Sequence, residues 1–369
     1  MPRQRREKTD DQIAAEKRRR ADARRLKRAQ ETSEQRAERL AQDPTNLSLV
    51  VLALYSGYWL VWHARRALFN GLVDPKGKCV LITGCDSGFG HMLAMQLAKE
   101  GYFVFAGCLD ENSDGAKVIK NAENTLLLQM DVTKKDEISE ALRAVECHLE
   151  GRELWAVVAN AGVACLGYIE WQPISRVRSV FDVNTFGALS VSTAFLPLLK
   201  KSRGRLVIVT SLLGRMTMPE YLAYCMSKCA CTSLADGLRQ QYFNRGLRVC
   251  MVEPGAYRTA LVNHSRMEEA FDRDLELLPD RVRKDVNQKV VAYFKHTADV
   301  LHSSFMRDEL QEVVDAMKMA VQEKLPRASY RPGATVLGLV RWLHNIAPAE
   351  LADEVMDAAR RISTLVKRK

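Results

Sequence analysis

No disulfide framework is present. The cysteines number nine, an odd count without framework spacing, which suits a reducing compartment and excludes a small stapled extracellular fold. No histidine stands at metal-ligand spacing from Cys225, Cys229 and Cys231, so that cluster is read as packing along a helix and no metal is expected. The first 44 residues contain no aromatic and almost no bulky apolar residue. With 14 Lys and Arg against 9 Asp and Glu, they carry half of the chain's formal charge of +10. Such a segment cannot bury enough surface to fold alone. Interspersed acids and the lack of rings to stack on bases disfavour a nucleic-acid arm, so no nucleic-acid partner is expected, and a solvated tail at a membrane surface is. No small-residue cleavage site follows the apolar run at 47–62, which disfavours a cleaved signal peptide, and nine acids weigh against a mitochondrial presequence.

What is present begins with size. At 369 residues and 47% hydrophobic content the chain can bury a large core without staples. From residue 76 onward, short β-rich runs at 79–82, 125–130, 154–158 and 249–252 alternate with helical ones, such as 134–149, where Ile138, Leu142, Val145 and Leu149 repeat at helical spacing. The alternation predicts an α/β fold with a parallel sheet covered by helices. Residues 260–328 break this rhythm, being helical, charged and poor in strand signals.

Within that frame lie groups with chemistry. Tyr224 and Lys228 are four residues apart, a spacing that stacks two side chains on one helix face and sets an ammonium beside a phenol. A free phenol titrates near about 10, and a neighbouring cation favours its ionised form, so the pair can take a proton from an alcohol. Ser211, thirteen residues earlier, is positioned to hold the alcohol oxygen, with Thr210 as its substitute if the strand register slips. Thr83-Gly84-Cys85-Asp86-Ser87-Gly88-Phe89-Gly90 follows the first apolar run and precedes a helical pattern that Gly101 stops. A strand, glycine turn and helix in this order bring backbone N–H groups and a positive dipole to a dinucleotide's phosphates. Asn160-Ala161-Gly162 ends the 154–158 run, Asn184 sits in Val183-Asn184-Thr185-Phe186-Gly187, and Pro254-Gly255, followed by Thr259, ends the 249–252 run.

This ordered set resembles the short-chain dehydrogenase/reductase family over about three quarters of the chain, residues 76–353. The segments Gly84 to Gly90, Val104-Phe105-Ala106-Gly107, Phe195-Leu196-Pro197-Leu198-Leu199, Leu213-Gly214-Arg215, Glu253-Pro254-Gly255 and Tyr330-Arg331-Pro332-Gly333, the last ahead of a Pro348-containing helix pair, are similar to the branch holding retinol, 17-beta- and 11-beta-hydroxysteroid and D-beta-hydroxybutyrate dehydrogenases. The resemblance implies a Rossmann-type doubly wound sheet at 75–355, with 260–328 as substrate cap and 356–369 as a basic tail. It implies Tyr224 as acid/base, Lys228 as its partner and ribose ligand, Ser211 as orienter of the substrate oxygen, and Asn184 as anchor of a proton-relay water, against which stands a kink-stabilising amide. Cofactor contacts are implied for Thr83, Gly84, Ser87, Gly88, Phe89, Gly90, Asn160, Ala161, Gly162, Pro254, Gly255 and Thr259. Asp131 and Val132 are implied near the adenine, with helix capping the alternative for Asp131. A homodimer is compatible with it.

The acid that relatives carry at the end of the second strand falls on Gly107 here. Asp110 is the nearest carboxylate and either turns back to the ribose or sits in a solvated turn. No Arg or Lys lies within 102–115, so NAD is favoured over NADP. Eighteen uncharged residues at 45–62 would make a helix of roughly 27 Å, near the lower limit for a bilayer core. Tyr55, Tyr58, Trp59 and Trp62 crowd one end before Arg65 and Arg66, so 45–66 is expected to be a membrane anchor. The endoplasmic reticulum is the first location implied, and the mitochondrial inner membrane the alternative. Basic residues flank the run evenly, and Asn263-His264-Ser265 is a glycosylation acceptor pattern should the domain face a lumen. A lipophilic alcohol or ketone, steroid or retinoid, is the expected substrate, walled by Met216, Met218, Tyr221, Leu222, Tyr257 and Leu261. The rival is a short 3-hydroxy acid, which needs a cation from Arg258, Arg266 or Lys284.

Overall fold

The computed structural model describes residues 17–22, 44–333, 348, 350, 351, 353, 354 and 358. The expected extension at 1–44, the basic tail at 356–369 and the Pro348 helix pair therefore lie largely outside the described residues. Two compact units divide the chain at 70/71.

In the first unit, helix α1 spans Pro44–Phe69. Leu49, Leu52, Leu54, Tyr58, Leu60 and Val61 are all exposed along it. A helix thus forms where the anchor was expected, but among the described residues no helix is long and apolar enough to cross a membrane. Tyr55, Ser56, Gly57, Tyr58 and Trp59 interrupt the aliphatic run, and His63, Arg65 and Arg66 close it. The spanning segment expected at 45–66 is therefore not shown.

The second unit holds a seven-stranded, wholly parallel sheet: β1 (Lys78–Thr83), β2 (Phe103–Cys108), β3 (Thr125–Gln129), β4 (Glu153–Ala159), β5 (Arg205–Val209), β6 (Arg248–Val252) and β7 (Ser329–Tyr330). Their order across the sheet is β3-β2-β1-β4-β5-β6-β7. Strands buried on both faces need continuous apolar runs, and this is how the sequence reads. Val80 and Ile82 enter one core with Val104, Ala106 and Val158, while Cys79 and Leu81 enter the other with Phe105, Leu154 and Val157. Side-chain alternation along each strand separates the two sets.

Helix α2 (Gly88–Lys99) contributes Leu93 and Leu97 to the first core. Helices α3 (Asp114–Lys120) and α4 (Lys135–His148) follow β2 and β3, and α4 places Ile138 and Val145 in the second core. Helix α5 (Ile174–Phe181) runs through a π-turn, Asp182–Gly187, into α6 (Ala188–Ser202), whose Val191 and Phe195 join that second core. Each such fully buried side chain contributes roughly 1.5–3 kcal/mol.

Helix α7 (Leu222–Gln241) precedes β6. Between β6 and β7 the chain is helical, as its composition predicts: α8 (His264–Glu276), α9 (Asp280–Asp285), α10 (Gln288–Phe305) and α11 (Gln311–Gln322). Helix α11 returns to the first core through Val313 and Met317. The strand order reverses between β1 and β4, which opens a crevice beyond their C-terminal ends, the ligand position of doubly wound sheets.

Candidate active site

Four of the motifs singled out in the sequence lie at the C-terminal ends of strands. Thr83 closes β1, Asn160 follows β4, Ser211 follows β5 and Pro254 follows β6. The glycine turn is built for close approach. Gly84 stands at φ +71°, and a Cβ there would come within 2.9 Å of Ala161 Cα. At Gly90 an added Cβ would lie 2.3 Å from the Gly84 carbonyl oxygen and 2.6 Å from Asn160 Nδ2. Ser87, at the head of α2, makes no side-chain cap, so the helix's first N–H groups are left for a ligand. A Cβ at Gly88 would meet only Thr259, at 3.8 Å, which brings that residue to the turn. Asn160 holds the turn: its Nδ2 donates to Thr83 O at 2.8 Å and Gly84 O at 3.1 Å, while the Asn160 and Ala161 N–H groups donate to Thr83 Oγ1 at 3.0 Å each. These cradles and free amide ends fit a dinucleotide.

Across the crevice, α7 carries Tyr224 and Lys228, both buried. Lys228 Nζ lies 5.8 Å from the Tyr224 ring centroid and donates to Val209 O at 3.0 Å. A Cβ added to Gly162 would lie 3.5 Å from that Nζ and 3.2 Å from Asn184 Oδ1, so the Gly162 backbone, Lys228 and Asn184 meet at one point. The expectation of a phenol ionised by its neighbour is not met in this state. Burial pushes the Tyr224 phenol well above its usual value, with a hydrogen bond to Ser211 acting the other way. Burial also lowers the Lys228 ammonium. Removed from water, both groups are driven toward neutrality, and the phenol keeps its proton.

Ser211, itself buried, accepts from Leu213 N–H at 3.1 Å, and Thr210 is committed to Val252 O at 3.3 Å, which leaves Ser211 as the hydroxyl nearer the phenol. Asn184 sits in the π-turn, a local widening that frequently marks functional sites. Its amide accepts from Val163 N–H at 2.8 Å and donates to Val163 O and Ser227 Oγ, each at 2.9 Å. The side chain thus braces the π-turn against the loop after β4 and against α7. The backbone carbonyl of Asn184 accepts from Cys231 Sγ at 2.8 Å. Val132 packs under Gly187, where a Cβ would come within 2.6 Å of it. Asp131 spends its carboxylate on Thr133, through N–H at 2.9 Å and hydroxyl at 2.7 Å, at the start of α4.

Tyr224 belongs to an apolar cluster with Leu166, Trp171, Tyr221, Phe271 and Phe294, flanked by Met218. Trp171 and Phe294 meet edge to face at 5.5 Å, and Phe271 and Phe294 lie 5.1 Å apart. Of the walls expected from sequence, Met218 and Tyr221 are here. Tyr257 is not: it packs in the first core, donating to Glu312 Oε2 at 2.7 Å. Leu222 is half-buried, Leu261 exposed and Met216 buried outside this cluster. The cations proposed for a carboxylate lie at the surface. Arg258 pairs with Asp308, and Arg266 and Lys284 are exposed.

Two residues were missed in the sequence. Glu253, buried beside Pro254, receives Arg215 Nε and Arg331 Nε at 2.6 Å each and Ser329 Oγ at 2.5 Å. Three of the segments that resemble the family branch, those holding Arg215, Glu253 and Arg331, therefore converge on one carboxylate. Asp86, inside the glycine turn, accepts from the Leu109 and Asp110 N–H groups, each at 2.9 Å. Asp110 itself is exposed and closes its own turn by accepting from Asn112 N–H at 2.9 Å. All nine cysteines are free thiols, Cys225 and Cys231 buried on α7 and Cys229 exposed.

The strand order, glycine cradle and buried Tyr-Lys-Ser group are those of a nicotinamide-type oxidoreductase. The sequence pattern described as short chain dehydrogenase is matched over residues 78–270. Bovine mitochondrial D-beta-hydroxybutyrate dehydrogenase is 35% identical over 293 residues, 76% of this chain and 84% of that protein. Bovine 17-beta-hydroxysteroid dehydrogenase type 6 is 36% identical, covering 77% and 88%, and mouse retinol dehydrogenase 7 is 33% identical, covering 75% and 87%. A short chain dehydrogenase/reductase from Burkholderia phymatum, in complex with NAD, shares the fold with a TM-score of 0.59 at 20% identity, over 74% of this chain and 95% of that one. A Burkholderia cenocepacia homologue in complex with NADP does so with a TM-score of 0.53 at 20% identity, over 75% and 100%. The chain belongs to the short chain dehydrogenase family and is an enzyme of the alcohol dehydrogenase/reductase kind.

Proposed function

We propose that the chain interconverts an alcohol and its carbonyl on a lipophilic substrate, a steroid or retinoid, with NAD as its cofactor. The observation that carries this reading is the setting of Tyr224: its phenol lies among Leu166, Trp171, Tyr221, Phe271 and Phe294, while Arg258, Arg266 and Lys284 are exposed. Thr83, Gly84, Ser87, Gly88, Phe89 and Gly90 would hold the cofactor's phosphates. Asn160, Ala161, Gly162, Pro254, Gly255 and Thr259 would line the rest of its path. When bound, it supplies hydride transfer.

The chain's own residues handle the proton. Tyr224 gives its phenolic proton to the carbonyl oxygen in reduction and recovers it from the alcohol in oxidation, a contribution of about two to four orders of magnitude for general acid-base help. Burial keeps that proton in place before substrate arrives. Ser211 hydrogen-bonds the same substrate oxygen. Lys228, held by Val209 O, would bind the cofactor's ribose and, in its protonated form, favour the phenolate. Asn184 fixes the π-turn that spaces Gly162 from Lys228. Helix α1, with its exposed aliphatic run, is the segment that would bring the enzyme to lipid, where such substrates reside.

Purified full-length protein with NAD and steroid, retinol or 3-hydroxybutyrate, followed by absorbance of the reduced cofactor, tests the reading. Turnover of the lipophilic alcohols that Tyr224→Phe abolishes while cofactor binding persists is expected. Turnover of 3-hydroxybutyrate alone would overturn the substrate class, and an active Tyr224→Phe would overturn the mechanism. Release of the parent protein from membranes by carbonate, with no change on deleting residues 1–70, would count against the lipid role.

A further inference from the structure

We propose that Asp86, within the glycine turn, is the residue that turns away a 2'-phosphate on the cofactor's adenosine ribose, by setting its carboxylate on the loop that follows β2. This rests on the dinucleotide reading above and assigns its specificity. In doubly wound folds the ribose hydroxyls are met at the end of the second strand, and an acid there favours NAD. Here that end is Gly107, and packing keeps it bare. A Cβ at 107 would stand 3.1 Å from Met130 Sδ and 3.3 Å from Ile82 O, so no acid extends from that position.

The carboxylate arrives from the adjoining turn after β1, where Cys85 N–H donates to Gly107 O at 2.9 Å. Both Asp86 oxygens are held by loop amides, Oδ2 by Leu109 N–H and Oδ1 by Asp110 N–H, each at 2.9 Å, and the Ser113 hydroxyl approaches Oδ1 at 3.4 Å. The backbone is engaged as well. A Cβ at Gly115 would fall 2.0 Å from Asp86 O, so the start of α3 is pressed against the turn. Gln129 completes the wrapping by donating to Leu109 O at 2.6 Å and accepting from Glu111 N–H at 3.1 Å. Four segments thus fix one negative charge between the phosphate turn and the end of β2.

Among the described residues no Lys or Arg pairs with it, and the nearest ring nitrogen is that of His91, which a Cβ at Gly115 would approach to 3.2 Å. Residues 102–115 contain no Lys or Arg, and Lys117 pairs with Asp114 at 3.3 Å on the exposed face of α3. Asp110 is the rival. Its side chain is exposed and turned to Asn112, so its charge is the more screened of the two.

Calorimetric titration of the full-length protein with NAD and with NADP, without substrate, reads the discrimination directly as the ratio of the two Kd values. Asp86→Asn and Asp86→Ser are expected to reduce the preference for NAD about tenfold or more, and Asp110→Asn less than about threefold. In the parent protein, raising salt from about 0.05 to 0.5 M is expected to narrow the preference as the charge is screened. A ratio unmoved by either Asp86 variant, or moved as far by Asp110→Asn, overturns the assignment. Should neither Asp86 variant fold, the parent's salt response and Asp110→Asn decide: a preference that salt leaves unchanged, or that Asp110→Asn removes, overturns it. A parent that prefers NADP sinks the cofactor reading itself, whereas a parent that prefers NAD with an unmoved ratio sinks only the role of Asp86.

Discussion

Replacing Glu253 by Gln removes a charge from a site with no exposure to solvent while keeping its shape. In the parent, two guanidinium groups and the Ser329 hydroxyl converge on that carboxylate. The Gln variant turns an amide NH2 toward one of the arginines. Breaking a buried ion pair by deleting one partner costs about 3–5 kcal/mol. The lower end applies here, because Arg215 and Arg331 are 28% and 42% exposed and can recover water, and Arg215 keeps Asp236 at 3.6 Å. A loss of about 3 kcal/mol lowers Tm by roughly 6–12 °C at the roughly 2–4 °C per kcal/mol found for domains of about 150–250 residues. Scanning calorimetry near neutral pH measures it, and a drop under about 1 °C would refute the reasoning. The pH dependence has a definite sign. Burial raises the Glu253 carboxyl, but Arg331, Ser329 and Arg215 outweigh it and hold the group below its usual 4.5. Its stabilisation is therefore complete above about pH 4.5 and is lost as pH falls through the lower folded value, so parent and variant converge in acid.

Alkali tests the Tyr224 phenol. Its folded value is raised above the usual 10, so the stability it contributes is present below pH 10 and is lost as pH rises further; between about pH 10 and 11 the cofactor-free parent should lose about 1 kcal/mol more than Tyr224→Phe in guanidinium titrations. Gly90→Ala places a methyl 2.3 Å from Gly84 O and should weaken NAD binding by at least about tenfold in calorimetry, whereas an unchanged Kd would show the turn to be slack. Gly237→Ala, in the interior of α7 with nothing within 4 Å of the added methyl, should stabilise by about 0.5–1 kcal/mol in the same denaturation assay.

Local chemistry was easy to read. The strands at β1, β4 and β6 are short apolar runs because both faces of the sheet are covered, and the turn after β1 shows its glycines because only glycine allows Ala161 and Gly84 O so near. Tyr224 and Lys228 were visible because one helix carries both. What escaped depends on contacts between distant segments. Glu253 meets Arg215 and Arg331 from positions 38 and 78 residues away, and no local pattern announces such a meeting. Asp86 reaches Leu109 across 23 residues. The direction of the Tyr224 shift was misjudged because it is set by burial, which Phe271 and Phe294 on the cap complete, and the sequence around Tyr224 says nothing of them. At 45–66 a helix forms as expected, while among the described residues no helix is long and apolar enough to cross a membrane.

One tie remains to be weighed. Arg176 on α5 grips Asp274 on α8 through Nε at 2.9 and 3.2 Å and through a terminal nitrogen at 3.2 Å, with Asp274 only 3% exposed. That clasp fastens α8, and with it Phe271, over the proton donor. If a bulky alcohol needs α8 to give way before it meets the phenol, this clasp is a tie that such an opening would strain, at a distance from the bond being made or broken.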